Sequence, residues 1–225
     1  MMMNLFSIFD PSTSMIFSLN WLSTLILLNL MPIFFWIPLT RLNWIWIKIF
    51  SSMFNEFKMI LFTKSNMINS LLYITFFTSI LINNFFGLFS YIFTSSSHLI
   101  FSMSLSLPLW MSLMIYGWIN NMNFMFTHLV PQGTPFPLIN FMVLIESISN
   151  IIRPITLSVR LSANMIAGHL ILTLLSGSHS LMSLKFLLMF LILVQSILLI
   201  LEMSVSMIQS YVFVILSTLY SKETN

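Results

Sequence analysis

The chain has 225 residues, of which 58% are hydrophobic and only 6% charged, with a formal net charge of +3. Soluble domains carry about 25% charged residues, so long apolar runs, 23 Phe and few charges define an integral membrane protein. There is no basic run or soluble face to hold nucleic acid, and the absence of cysteine excludes disulfides, thiol chemistry and Cys-ligated metals.

No cofactor is expected, because no nucleotide-binding loop, metal cluster or nucleophile constellation is present. The first ten residues, MMMNLFSIFD, contain no basic n-region and no cleavage site, so insertion without a removable targeting segment is expected. Residue usage is skewed to 19 Met with five Gly and only two Ala. That is the bias of an AT-rich genome, such as many organellar genomes.

In chain order, residues 14–38 are expected to form a first span that ends at Pro32 and Pro38. Over residues 41–62, Trp44, Ile47, Phe50, Phe54 and Phe57 recur at three or four, with Arg41, Lys48, Asn55, Glu56 and Lys58 between them. This spacing predicts an amphipathic helix lying in the membrane interface. Arg41, Lys48, Lys58 and Lys64 are half of the basic residues, and they place this connection on the electrically negative side. Residues 68–93 and 99–120 read as a second and a third span. The connection TSSSH (94–98) is short enough to make them antiparallel neighbours. Asn83 and Asn84 read as bonds between helices rather than as a polar path. His98, His128 and His179 fall in connections and read as solvated. Residues 121–137 are rich in turn formers, with Gly133 and three prolines.

The last part of the chain differs. Residues 138–175 and 181–220 are two helical stretches split by SGSHS (176–180). As helices they would each be about 57–60 Å long at 1.5 Å per residue, against a hydrocarbon core of ~30 Å. A steeply tilted helical hairpin is therefore expected, with Pro154 bending its first helix. The fold class expected is an all-α integral membrane protein forming a single membrane domain over 1–225. It comprises one N-terminal span, an amphipathic surface helix, two further spans and a long tilted hairpin. With 41–65 on the negative side, the N-terminus and the turns at 94–98 and 176–180 fall on the positive side. The 121–137 loop and the C-terminus fall on the negative side. No internal repeat is present, which weighs against an inverted-repeat transporter.

The hairpin carries charges where charge is costly. Arg153 and Arg160 are seven residues apart, with Glu146 seven before them, His169 nine after Arg160, and Glu202 on the second stretch. A charged side chain at the bilayer centre costs ~2.5–3.5 kcal/mol. A helix advances about 100° per residue, so Glu146, Arg153 and Arg160 share one face, about 10.5 Å apart per step. At that separation direct ion pairs within the helix are not expected, and each charge needs a partner from elsewhere or water. The face of Arg160 continues through Ala163, Asn164 and Ala167, with Gly168 adjoining. These are the chain's only alanines, and small residues let another helix approach closely. His169 lies about 180° round from Arg160. It faces the second stretch, where Gln195, Glu202 and Gln209 recur at seven with Ser206 beside them. His169 and Glu202 are placed to meet there and share a proton. Static ion pairs that lock the hairpin are the alternative account of Glu146, Arg153, His169 and Glu202. Arg160 is the hardest to explain so.

These residues carry a resemblance. SVRLSANMIAGHLIL (158–172) resembles the signature of the a-subunit family of F-type ATP synthases, the stator beside the rotating c-ring. HLVPQGTP (128–135), MVLIESISNIIRP (142–154) and IQSYVFVILSTLYS (208–221) resemble its mitochondrial form, and the similarity takes in NLFSIFDPS (4–12). The resemblance implies that Arg160 is the arginine that meets the c-ring carboxylates. It implies that Thr156, Asn164 and Gln209 lie near the proton path. His169 and Glu202 would serve the uptake half-channel, and Glu146 the exit half-channel. The chain would couple proton flow to ATP synthesis without performing ATP chemistry itself. Its partners would be the c-ring, other stator subunits and the lipid bilayer. It would lie in the mitochondrial inner membrane, with its N-terminus in the intermembrane space and its C-terminus in the matrix. A self-contained permease and a purely structural membrane subunit are the alternatives. The first needs its own substrate cavity, and the second needs every charge statically paired.

Overall fold

The computed structural model describes residues 5–14, 17–25, 41–61, 67–89, 92–130, 135–178 and 185–224. Among these residues every regular element is helical. Two short 3-10 helices, Leu5–Phe9 and Leu19–Leu25, lead into α1 (Arg41–Ile60) and α2 (Met67–Gly87). A 3-10 turn, Ser95–Ser97, precedes α3 (Leu99–Asn120), followed by α4 (Met122–His128) and a further turn, Phe136–Leu138. The chain ends in two 40-residue helices, α5 (Ile139–Ser178) and α6 (Lys185–Thr224). Within the described residues, four helical segments are long and apolar enough to cross a membrane: Asn69–Gly87, Leu99–Asn120, Phe136–Gly177 and Phe186–Thr224.

The structure differs from the sequence reading in three places. Most of the first span expected over 14–38 lies outside the described residues, and its described piece, Leu19–Leu25, is a 3-10 helix. The connection at 121–137 contains helix α4, in which Asn121 returns its amide to Gly117 and accepts from Met125. Helix α5 runs on through Ser176 and Gly177, although SGSHS read as a break. A Cβ built at Gly177 would meet nothing within 4 Å, so nothing there forces the helix to end.

The core forms where α1, α2, α5 and α6 meet. Phe57 and Leu61 leave the end of α1 to pack with Tyr73, Phe77 and Ile80 of α2, Leu157 and Leu161 of α5, and Phe213 and Val214 of α6. Positions 73, 77 and 80 recur at four and three, which puts one face of α2 inward. Elsewhere the contact surfaces are built from hydroxyls. Ser102 and Ser106 of α3 are buried along the α3–α5 seam, as are Ser158 and Ser162 of α5, and Ser206, Ser210, Ser217 and Ser221 are buried along α6. Most donate back to the third preceding carbonyl: Ser158 Oγ to Ile155 at 2.8 Å, Ser210 Oγ to Met207 at 2.7 Å, Ser217 Oγ to Val214 at 2.7 Å. In lipid, apolar burial between helices gives little, and close backbone approach replaces it. A serine satisfied within its own turn behaves as a small residue, which is what such approach requires.

Helix α1 docks on α2 and α6. Its Lys48 ammonium lies 4.5 Å from the centre of the Trp44 ring, one turn earlier. Glu56 accepts a hydrogen bond from Tyr211 of α6 at 3.1 Å.

Candidate functional site

The antiparallel pair α5–α6 carries two polar clusters, one at the C-terminal end of α6 and one near its middle, with Arg160 between them along α5. Glu146 and Arg160 are separated by about 21 Å of helix rise, and Arg160 and His169 by about 13.5 Å.

The first cluster surrounds Arg153. Its guanidinium pairs with Glu223 in the last turn of α6 and lies 3.7 Å from the Glu146 carboxylate. It also sits 4.9 Å from the centre of the Tyr220 ring, a cation–π contact. The expectation that Glu146 and Arg153 stand too far apart to pair is thus overturned. Both side chains leave the helix in nearly the same direction, and their combined reach spans two turns. Pro154 lacks an N–H, so the Asn150 carbonyl is left without its helical donor. Asn150 lines a small cavity of about 50 Å³ together with Arg153, His128, Tyr220 and Glu223. The end of α6 is held here by the Asn121 side-chain amide, which donates to the Thr224 carbonyl at 3.4 Å. Glu223 was missed in the sequence, where it reads as part of a polar tail. The 70 residues that separate it from Arg153 leave no local signal.

The second cluster lines a cleft of about 280 Å³ between the two helices. Asn164, Ala167, Gly168 and His169 form the α5 wall, and Glu202, Ser206 and Gln209 the α6 wall. The helices touch at Gly168. A Cβ there would fall 2.5 Å from Glu202 Oε1, so only glycine admits the carboxylate at this spot. His169 and Glu202 share the cleft but do not hydrogen-bond to each other. His169 Nε2 and Glu202 Oε2 are both buried without a protein partner. The Gly87 backbone approaches the imidazole from α2, and the Phe9 ring meets it edge-on at 6.4 Å. The arrangement offers two proton-accepting groups, each with a free site, at one cleft with room for several waters.

Arg160 belongs to neither ion pair found among the described residues. It is exposed, and so are Ala163, Asn164, Ala167 and Thr156. Thr156 turns its hydroxyl back to the Arg153 carbonyl at 2.9 Å. The structure therefore brings Asn164, His169, Glu202 and Gln209 together. It joins Glu146 to Arg153 and leaves Arg160 alone on an open face of small residues.

Two further readings are corrected. His98 is not a solvated loop residue: its ring lies 5.2 Å from those of both Trp21 and Phe93, and its Nε2 is buried. Asn84 does not bond between helices. It is fully buried, and neither atom of its amide finds a protein partner. His128 is exposed, as read, and His179 lies outside the described residues.

Comparison with known proteins gives a consistent result. The profile of the ATP synthase A chain family matches residues 13–222. The chain is similar to ATP synthase subunit a of Locusta migratoria, with 57% identity over 224 residues covering 99% of each chain. It is similarly related to ATP synthase subunit a of Drosophila melanogaster, at 56% over 225 residues, and of Anopheles gambiae, at 53% over 226 residues, with full coverage in both.

Proposed function

Because the chain belongs to the ATP synthase A chain family, whose members are the proton-translocating stator subunits of the membrane sector, we propose that it forms two proton half-channels separated by Arg160. The observation that carries this reading is the isolation of Arg160. It stands unpaired on an exposed face with Ala163, Asn164 and Ala167, with one polar cluster before it and one after it along α5. That face suits the rotor c-ring, whose carboxylates would pass the guanidinium one by one.

In this reading a proton reaches His169 and Glu202 in the α5–α6 cleft, with Asn164 and Gln209 lining its way. It passes to a rotor carboxylate, which in neutral form enters lipid without the cost of a charge. After nearly a full turn the carboxylate meets the cluster around Arg153 and gives up its proton toward Glu146, on the side of Thr156. It then passes Arg160, which stays protonated in proteins. The arginine can therefore hold the ionised carboxylate but cannot relay its proton, so the two half-channels do not short-circuit. The driving force is ~2.3 kcal/mol per charge per 100 mV. The setting is the mitochondrial inner membrane, with the N-terminus in the intermembrane space, the C-terminus in the matrix, α1 at the matrix-side interface and other stator subunits alongside. The basic residues of α1 support this orientation.

Arg160→Ala tests the reading. Coupled ATP synthesis in reconstituted membranes should be lost while the complex still assembles, and normal synthesis would refute it.

A further inference from the structure

The N-terminal segment is tied down at one end of the bundle by two anchors. Its 3-10 helix Leu5–Phe9 packs on α5, where the Phe9 ring meets His169 edge-on at 6.4 Å. The 3-10 helix Leu19–Leu25 packs on the turn at 95–97. There Trp21 lies against Phe93 and His98, and Ser23 Oγ donates to the Phe93 carbonyl at 3.2 Å. Asp10 stands in the stretch between these anchors.

Asp10 follows Phe9 directly, with about 3.8 Å between their Cα atoms, so its charge is carried close to the imidazole that Phe9 meets. The residue is exposed, yet its carboxylate is held rather than free to swing. Oδ1 accepts from the Ser12 amide at 3.1 Å and from the Ser12 hydroxyl at 2.8 Å. The Asn20 side-chain amide donates to the Asp10 carbonyl at 3.2 Å. The Ser12 amide, and after it the hydroxyl, hold the carboxyl below its ordinary range, so the group stays ionised. Among the described residues no cation pairs with it. The other acidic residues are engaged elsewhere: Glu56 with Tyr211, Glu146 and Glu223 with Arg153, and Glu202 inside the cleft. Helices α2 and α3 carry no Asp, Glu, Lys or Arg. Lys185 opens α6, about 25 Å of helix rise before Glu202.

A fixed negative charge raises the local concentration of cations. At about 10 Å in water a unit charge does so about twofold, and salt screens the effect. We propose that Asp10 is the proton-collecting charge of the His169–Glu202 cleft, concentrating hydronium beside the imidazole, with Phe9 and Asn20 fixing it in place. The proposal rests on the assignment of that cleft to proton uptake, and it adds an electrostatic step that precedes the transfer to His169.

The test uses the assembled ATP synthase in vesicles, stripped of its catalytic head. Passive proton flux is driven by a diffusion potential at alkaline pH, where proton arrival limits it. Asp10→Asn removes the charge and keeps the Oδ1 acceptor for Ser12. Flux entering from the side of the N-terminal segment should fall about twofold at about 0.01 M salt. It should match the parent at about 1 M, where the screening length has shrunk from about 30 to about 3 Å. Asp10→Lys changes two units of charge and should lower the flux about fourfold at low salt. Asp10→Ala, which gives up the Ser12 bonds as well, should equal Asp10→Asn. Flux in the opposite direction should be parental in all three. Parental flux in Asp10→Asn at low salt, together with loss in Glu202→Gln, would overturn the collecting role and leave the cleft assignment standing. A loss that persists at high salt, or that appears in both directions, would overturn it as well, since a fixed charge acts on one side and is screened. Parental flux in Glu202→Gln would refute the cleft assignment itself. If Asp10→Lys does not assemble, the salt dependence of Asp10→Asn decides.

Discussion

The contact at Gly168 makes a sharp prediction. A methyl group added there would stand 2.5 Å from Glu202 Oε1, 2.9 Å from its Cδ and 3.2 Å from its Cγ. Comfortable separations are about 3.5–4.0 Å, so the carboxylate must withdraw by roughly 1 Å. Because the obstructed atoms lie toward the end of a long side chain, a rotamer change relieves the clash at about 0.5–1.5 kcal/mol. Assembly should survive Gly168→Ala. Proton transfer should not, because a 1 Å misplacement of a working group costs on the order of 10²-fold. Membranes with normal content of the complex should therefore lose about 10- to 100-fold of passive proton conduction. Glu202→Asp shortens the side chain by one methylene, so adding it to Gly168→Ala should restore part of the loss. The double-mutant cycle then shows a coupling that two independent lesions would lack. Parental conduction in Gly168→Ala at normal assembly would refute the argument, as would purely additive losses in the double variant.

Three smaller effects follow from the packing. Arg153→Ala leaves the Glu146 and Glu223 carboxylates without their shared cation. The pairs are partly exposed, so the loss should be about 1 kcal/mol, seen as faster proteolytic clipping of the last turn of α6. Tyr211→Phe removes the bond to Glu56 and should weaken the docking of α1 by about 0.5–1.5 kcal/mol, measurable as faster amide exchange along 41–60. Ser158→Ala should be nearly neutral, within about 0.5 kcal/mol, because its hydroxyl bonds inside its own helix and its contact across the seam is to a weak acceptor, Met103 Sδ at 3.1 Å. Ser158→Leu should disrupt the α3–α5 seam and lower the yield of assembled complex.

The class of fold was legible because composition alone forbids a soluble core, and because apolar length leaves helix as the economical way to cross lipid. The open face of Arg160 was legible too, since it depends only on periodicity within one helix. What escaped the sequence depended on contacts between distant elements. The Glu146–Arg153 pair was misjudged by treating side chains as points on a cylinder instead of as arms that can lean along it. Glu223 joins the same cation from the far end of the chain. Asn84 and His98 were read as ordinary polar residues of a span and a loop, because burial without a partner is a property of the assembled bundle, invisible in the order of residues. Gly168 lay in plain view beside Ala167, yet only the position of Glu202 explains why it lacks a side chain.

The hydroxyl-lined seams have a mechanical consequence. Most of their serines bond back inside their own helices, and the contacts that cross, such as Ser158 Oγ to Met103 Sδ at 3.1 Å, are few. A sideways push on α5 would then shift the seam with little breaking and remaking of partners. The response to such a load is elastic, with little hysteresis, and the stiffness comes from shape alone. A stationary wall that is pressed repeatedly by a turning neighbour benefits from springing back rather than wearing into a new arrangement.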